Sequence, residues 1–276
     1  MGLHSAFSVL VSGGQLLVYG AKDEGIEAAL GPLGDLFVGA ETLGIGGRCR
    51  VLTAFRGDEP EGLRSSLDAW KSLLALDYPG LPREWISYPG IFAHGHLDPG
   101  TCLLLDVLPS VPSGDRVLDY GCGSGIVAWF ALNRSDGLEV DLLDIDAVAL
   151  EAARKNVPAG RLILRDGLPP RREGSYDAIF SNPPLHLGKG EDPGMILRFI
   201  QEAPHLLNPR GALVLVAQRR LPIRRPLQES FGGVRVLAED SGFRVWEGRK
   251  PIASARKTGL PLSRRNAPAP KISRRE

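Results

Sequence analysis

The chain has 276 residues, 43% of them hydrophobic and 24% charged, with a formal net charge of +1. That length allows one large domain and a smaller companion, and the composition is that of an ordinary globular protein rather than a disordered or fibrous one. Three cysteines (Cys49, Cys102, Cys122) form no CxxC pair, the N-terminus has no basic and apolar leader pattern, and no apolar run reaches membrane-spanning length. These features favour a reducing, cytoplasmic setting over a disulfide framework or a membrane span.

Residues 1–58 carry short apolar segments, "FSVLV", "QLLVYG" and "RCRVLTAFR", around one helix-like piece, "KDEGIEAALGPLGDLF". This reads as a small α/β unit, too short for a complete doubly wound sheet. Residues 59–84 begin and end in proline and glycine, and the amphipathic piece between predicts a connector helix and loop. From 85 to 252, apolar or nearly apolar runs alternate with helical patterns. The runs are "RVLDY", "EVDLLD", "RLILR", "YDAIFS" and "ALVLVA"; the helices are "AVALEAARKN" and "GMILRFIQEAPHLL". Such runs suit strands buried on both faces, and the alternation predicts a parallel sheet with helices on either side. Residues 253–276 hold three prolines and seven basic residues against one acid. They read as a disordered basic tail.

The first strand of that sheet runs into "DYGCGSG". Gly121, Gly123 and Gly125 allow a tight turn and close approach of a ligand to the backbone. A dinucleotide loop would place a third glycine where Ile126 stands, and Asp119 would repel a pyrophosphate while attracting a cation. S-adenosylmethionine carries two cationic centres and no phosphate, which fits this loop better than a dinucleotide does. Asp144, 19 residues beyond Gly125 at the end of the second strand, is placed to accept both hydroxyls of a ribose, with Ile145 beside it. Asp146 reads as the N-cap of the following helix. Asp166, before Gly167, is either an acceptor for an adenine amine or an Asx-turn residue.

The strand "YDAIFS" ends in "NPPLH". Proline lacks a backbone N–H and holds its predecessor extended, so Asn182, Pro183 and Pro184 form a stiff strand exit rich in acceptors. An exocyclic amine of guanine or adenine is a poor nucleophile. Two acceptors, the Asn182 side-chain oxygen and the carbonyl of Asn182 or Pro183, would aim its lone pair at a methyl group. A strand-ending turn would use the same residues, but the glycine loop and Asp144 in the same sheet favour the chemical reading. His94 and His96, with His186, lack metal-ligand spacing and a cysteine partner, so no metal is expected. Cys122 reads as a small filler. "QRRLPIRRPL" sets Arg219, Arg220, Arg224 and Arg225 beyond a strand end. Together with Arg249, Lys250 and the tail they make a basic face on a nearly neutral protein. Such a run is commonly only a solvated surface, and its place at the ligand-binding edge of the sheet favours RNA as partner.

"VLDYGCGSG", "SNPPLH" and "YPGIFAHGHLDPGTCLLL" resemble the guanine-N2 methyltransferases of ribosomal RNA, of the small-subunit methyltransferase C type. The resemblance runs from Pro89 to Val245 and takes in "HLLNPRGALVLVA". The pieces "GAKDEGIEAAL" and "ETLGIGGRCRVLTAFR" resemble parts of that family's first domain, here much shortened. The resemblance implies a class I methyltransferase (Rossmann-like) fold with a mostly parallel seven-stranded sheet. It also implies S-adenosylmethionine as cofactor and a guanine in 16S rRNA, free or in the small ribosomal subunit, as target. Apart from the resemblance, a monomer is the expected state. It singles out Asp98, Gly100 and Thr101 as residues closing over the cofactor, and His186 as part of the catalytic stretch. Leu185 stands where the family carries a base-stacking aromatic residue, and Arg219 and Arg220 are additions to its pattern. A protein glutamine-amide methyltransferase shares the Asn-Pro-Pro logic, and a non-catalytic RNA-binding or assembly protein would share the fold.

Overall fold

The computed structural model describes residues 1–93, 96–108, 116–170, 176–183, 186–187, 190–191 and 193–252. The expected basic tail, His94, Pro184 and Leu185 lie outside the described residues.

The N-terminal unit opens with helix α1 (Gly2–Val9), followed by strand β1 (Gln15–Ala21), helix α2 (Leu30–Leu36), and strands β2 (Val38–Gly46) and β3 (Cys49–Phe55). The three strands form an antiparallel sheet in the order β1-β3-β2. Phe7, Ile26, Leu33 and Phe37 pack on Leu52 and Ala54 to form its own core. Two details depart from the sequence reading. "FSVLV" begins inside α1, because Phe7 turns inward against Phe37. The helix-like piece after β1 is not one helix but two 3-10 turns (Lys22–Glu24 and Ile26–Ala29) followed by α2, interrupted where Gly25 adopts a left-handed φ of 84°.

The connector is also corrected. Residues 59–84 hold no α-helix. A single 3-10 turn (Leu67–Trp70) precedes strand β4 (Ser72–Ala75), which pairs antiparallel with β5 (Glu84–Ser87). The expected boundary at 84/85 therefore falls inside β5. Within this pair Trp85 lies opposite Leu74, and its buried ring joins the main core.

Helix α3 (Pro99–Val107) leads into the main sheet. Its strands are β6 (Arg116–Tyr120), β7 (Glu139–Asp144), β8 (Arg161–Leu164), β9 (Tyr176–Ser181), β12 (Leu207–Gln218), β13 (Phe231–Glu239) and β14 (Phe243–Pro251). The small pair β10 (His186–Leu187) and β11 (Gly190–Glu191) lies outside that sheet. The helices α4 (Ile126–Leu132), α5 (Ala147–Asn156), α6 (Pro193–Glu202) and α7 (Arg224–Ser230) connect the strands.

The order is β13-β14-β12-β9-β6-β7-β8. The five strands β12, β9, β6, β7 and β8 run parallel, while β14 is antiparallel to both of its neighbours. The mostly parallel seven-stranded sheet is the expected one. Successive strand residues serve opposite layers, as the period of two requires. Val117, Phe180, Val214 and Val216 face α3, α4 and α5, whereas Leu118, Ile179, Leu213 and Leu215 face α6 and α7. From β6 the chain goes to β7 and β8 on one side, and β9 lies on the other. The carboxyl ends of β6 and β9 thus flank the switch point, where sheets of this kind bind ligands. Among the described residues no helix is long and apolar enough to cross a membrane.

Candidate active site

The glycine loop grows out of β6 and is hydrogen-bonded to the strand beside it. Gly121 N and Cys122 N both donate to Leu143 O, at 2.8 and 3.0 Å, and Gly125 N closes the turn on Cys122 O at 2.8 Å. All three glycines have positive φ, 69°, 53° and 91°, a region L side chains rarely adopt. They differ in what surrounds them. A Cβ on Gly125 would lie 2.8 Å from Val157 Cγ2 and 3.2 Å from Leu142, so close packing of α5 on the sheet requires glycine there. A Cβ on Gly123 would meet nothing within 4 Å, so that stretch of backbone faces open space.

Three carboxylates surround the loop, each held differently. Asp119 is buried, with 2% of its surface exposed, and accepts from Ala128 N at 3.0 Å. Burial pushes its carboxyl up to about 7; the Ala128 N–H pulls the other way and the charge of Asp144 adds to the rise. It lies beneath the loop rather than on its open face. Asp144 binds the loop directly: Oδ2 accepts from Gly123 N at 2.8 Å and Oδ1 from Asp146 N at 2.9 Å. Each oxygen keeps a further lone pair for an outside donor. Next to it Ile145 leaves 64% of an apolar side chain exposed, while Asp146 caps α5 through Val148 N. Asp166 is exposed ahead of Gly167, whose φ is 76°. Its charge reaches Tyr120, whose hydroxyl is raised first by burial and then by Asp166. Burial likewise raises the Cys122 thiol well above its ordinary value, which fits a filler and not a nucleophile.

The strand exit lies across the switch point. Ser181 Oγ donates to Tyr120 O at 2.8 Å, tying the end of β9 to the end of β6. Asn182 follows, and Pro183 is buried. The Asn182 amide nitrogen donates to Asp98 Oδ2 at 2.8 Å and to Thr101 Oγ1 at 2.9 Å. Asp98 is also the N-cap of α3, accepting from Thr101 N at 2.8 Å, with Pro99 pre-set for the first turn. Gly100 completes this corner. A Cβ there would be 3.0 Å from both Asp98 Oδ2 and the Phe243 ring, so any larger residue would have to push one of them aside. The expected residues Asp98, Gly100, Thr101 and Asn182 are thus brought together, and Gly121, Gly123, Gly125, Asp144 and Ile145 form a second group around the loop. His186 pairs through its backbone with Glu191.

The arginines are spread more widely. Arg219 donates to Asp240 O at 2.9 Å and pairs with Glu239 at 3.4 Å; Arg220 donates to Gln218 at 2.7 Å. With Phe243 they line a shallow depression at the carboxyl end of β12. Arg225 pairs with Glu229 along α7, and Arg224 lines a separate hollow with Arg235 and Arg244. Such exposed pairs hold weakly and can be exchanged for phosphate contacts.

Sequence reasoning missed the residues that brace the loop from behind. Trp85 Nε1 donates to Ser124 Oγ at 2.8 Å. Asn156 Nδ2 donates to Ser124 O at 3.0 Å and to Ile86 O at 2.9 Å, and its oxygen accepts from Ile86 N at 3.0 Å. Phe243, against Gly100, was missed as well. These partners lie 39, 32 and 70 positions apart for Trp85–Ser124, Asn156–Ser124 and Asn156–Ile86, and no local pattern announces them.

A seven-stranded sheet of this order, with a glycine loop and an acid at adjacent strand ends and Asn-Pro at the strand across the switch point, defines a class I methyltransferase. The methyltransferase small domain family model matches residues 83–247. A ribosomal RNA small subunit methyltransferase C of Chromohalobacter salexigens is 40% identical over 254 residues, covering 88% of this chain and 72% of that one. Its counterpart in Pseudomonas paraeruginosa is 34% identical over 260 residues, covering 90% and 75%. Among solved structures, a T. thermophilus 16S rRNA N2 methyltransferase in complex with AdoMet and guanosine superposes with a TM-score of 0.78. It is 26% identical and covers 90% of this chain and 68% of that one. The chain belongs to the ribosomal RNA small subunit methyltransferase C family.

Proposed function

We propose that this protein is an S-adenosylmethionine-dependent methyltransferase that methylates the exocyclic N2 amine of a guanine in 16S ribosomal RNA. The observation that carries the reading is the orientation of Asn182. Its amide nitrogen is committed inward to Asp98 and Thr101, so its oxygen is the group presented at the strand exit.

The residues around the loop fit the cofactor. Gly123 offers open backbone, Asp144 an acceptor for ribose hydroxyls, Ile145 an apolar surface for a base, and Asp119 a buried carboxylate bonded by Ala128 N. When bound, the cofactor supplies a methyl group activated on a sulfonium. The remaining work belongs to the chain. The guanine N2 lone pair is delocalised into the ring, and the Asn182 oxygen with a carbonyl of Asn182 or Pro183 would accept its two N–H groups. That arrangement localises the lone pair on the side of the methyl group and stabilises the positive charge the nitrogen gains. No strong base is needed before transfer.

Ribosomal RNA, alone or in the small subunit, is the partner this reading implies, met by a monomer in the cytoplasm. The arginines at 219, 220, 224 and 225 would neutralise phosphates, and Leu185 would contact the target base without the stacking an aromatic ring provides. Stacking of that kind is worth about 1–3 kcal/mol.

The test is incubation of labelled cofactor with undermethylated 16S rRNA or small subunits, and with ribosomal proteins, followed by nucleoside and peptide analysis. Label in N2-methylguanosine is expected, with Asn182→Ala losing most turnover while keeping its cofactor affinity. Label in glutamine side chains, or cofactor binding without transfer to any substrate, would overturn the reading.

A further inference from the structure

We infer that Asp98 and Thr101 are positioning residues for Asn182, setting which end of its amide faces the substrate, rather than ligands of the cofactor. The inference deepens the proposed function and rests on it for its kinetic arm.

An asparagine side chain is nearly symmetric in shape, and its two orientations place opposite chemistry at the same point. One presents an acceptor to an incoming amine; the other presents an N–H donor, which would repel it. A site built on Asn182 therefore needs something that tells oxygen from nitrogen.

Asp98 does so unambiguously. A carboxylate only accepts, so the group 2.8 Å from its Oδ2 must be the Asn182 NH₂. Thr101 completes the discrimination. Its hydroxyl has one proton, which it directs to the same Asp98 oxygen at 3.3 Å. Its lone pairs are then left to accept from Asn182 Nδ2 at 2.9 Å. Both hydrogens of the amide are used, and a flip would set the Asn182 oxygen against a carboxylate oxygen and a hydroxyl lone pair. Asp98 Oδ2 thus receives three donors at once: Thr101 N, Thr101 Oγ1 and Asn182 Nδ2. Because the first of these caps α3, the orientation of Asn182 is referenced to a helix end. Gly100, whose Cβ would intrude 3.0 Å from that oxygen, keeps the corner clear.

Serine at 98 separates this role from helix capping. It caps a helix about as well as aspartate, but its side chain is one bond shorter and does not reach Asn182. Asp98→Ser is expected to lower kcat about 10- to 100-fold, the scale of a small misplacement of a positioned group. The cofactor dissociation constant and the thermal midpoint should stay near wild type. Asp98→Asn, which returns an acceptor oxygen to the same place, should recover most of the rate. Thr101→Val should lose less than Asp98→Ser, with Thr101→Ser recovering it. In an Asn182→Ala background, Asp98→Ser should add no further loss, since it acts only through the missing amide.

A second readout needs no substrate. In nitrogen-edited NMR the Asn182 NH₂ pair, assigned by its disappearance in Asn182→Ala, should be shifted and slow to exchange in wild type. It should move to ordinary, rapidly exchanging positions in Asp98→Ser. An unchanged NH₂ pair in that variant overturns the inference whatever the substrate proves to be. So does a cofactor affinity that falls in step with kcat, or an additive loss in the Asn182→Ala background. Wild-type protein that methylates no RNA, with the NMR result as expected, would refute the proposed function and leave the positioning role standing.

Discussion

Asp119→Asn tests whether the acid beneath the glycine loop trades stability for cofactor binding. In the folded chain this carboxyl titrates at about 7, against 3.8 for the free side chain, because burial opposes its charge. Below pH 3.8 both states carry the proton and the group contributes nothing to the pH dependence. As pH rises towards 7 the unfolded chain ionises freely while the folded one resists, so stability falls through that window. The whole difference is about 4 kcal/mol once both states are ionised, at 1.36 kcal/mol per unit of pKa. Asparagine keeps an oxygen for Ala128 N and has no charge to bury. The variant should therefore match wild type near pH 4 and exceed it by up to about 4 kcal/mol at pH 8.5. Urea denaturation of both proteins at half-unit pH steps measures the difference directly. The same substitution should weaken cofactor binding, because a neutral amide cannot offset a ligand cation. In wild type, cofactor binding near pH 7 should release protons, visible by calorimetry in buffers of different ionisation enthalpy. A stability difference that stays flat from pH 4 to 8.5 would refute the reasoning, since it would mean that Asp119 is not an uncompensated buried charge.

Two further expectations follow from the geometry. Gly125→Ala puts a methyl group 2.8 Å from Val157 and 3.2 Å from Leu142 on a backbone with φ of 91°. Left-handed strain plus overpacking should cost about 2–5 kcal/mol, measured by denaturant midpoint, and a loss under 1 kcal/mol would mean that α5 yields easily. Arg219→Ala with Arg220→Ala should raise KM for RNA and flatten the log–log salt dependence of binding. Each phosphate that is no longer neutralised takes about 0.7–0.9 from the slope; an unchanged slope would return both residues to their partners Asp240, Glu239 and Gln218 as surface ornament of the β12 end.

The five parallel strands of the main sheet were legible because strands buried on both faces announce themselves as apolar or nearly apolar runs, and "RVLDY" through "ALVLVA" did so. The antiparallel edge, β14 and β13, has no such run and was expected only through the resemblance. The glycine loop and Asn182 were legible because each packs its chemistry into a few neighbouring residues. What failed was periodicity in short, mixed segments. "KDEGIEAALGPLGDLF" has helical spacing but too many glycines, and Gly25 interrupts it. "SLDAWKSLLALDY" has enough apolar residues for an amphipathic helix. Its strand form is decided by a partner beyond a proline-glycine turn, and by the space that Trp85 fills. Long-range polar contacts were illegible for a different reason. Asp98 was singled out only through resemblance, as a cofactor residue, because nothing near it in sequence shows that Asn182, 84 positions away, is its partner.

The brace formed by Trp85, Asn156 and Ser124 bears on how this catalytic unit could be transplanted. An engineer fusing the methyl-transferring part to another RNA-recognition module would be tempted to cut at the proline-rich stretch near residue 84. That cut strands β5 without β4 and leaves the indole that steadies Ser124 on an unpaired, fraying end. The glycine loop would then lose its rear support even though every residue facing the ligand had been retained. A graft that begins ahead of the turn at Leu67 keeps the hairpin, and with Asp68 it also keeps the ion pair to Lys155 that pins this segment to α5. The portable unit is defined by what stands behind the cofactor loop, and it is longer than the part that touches anything.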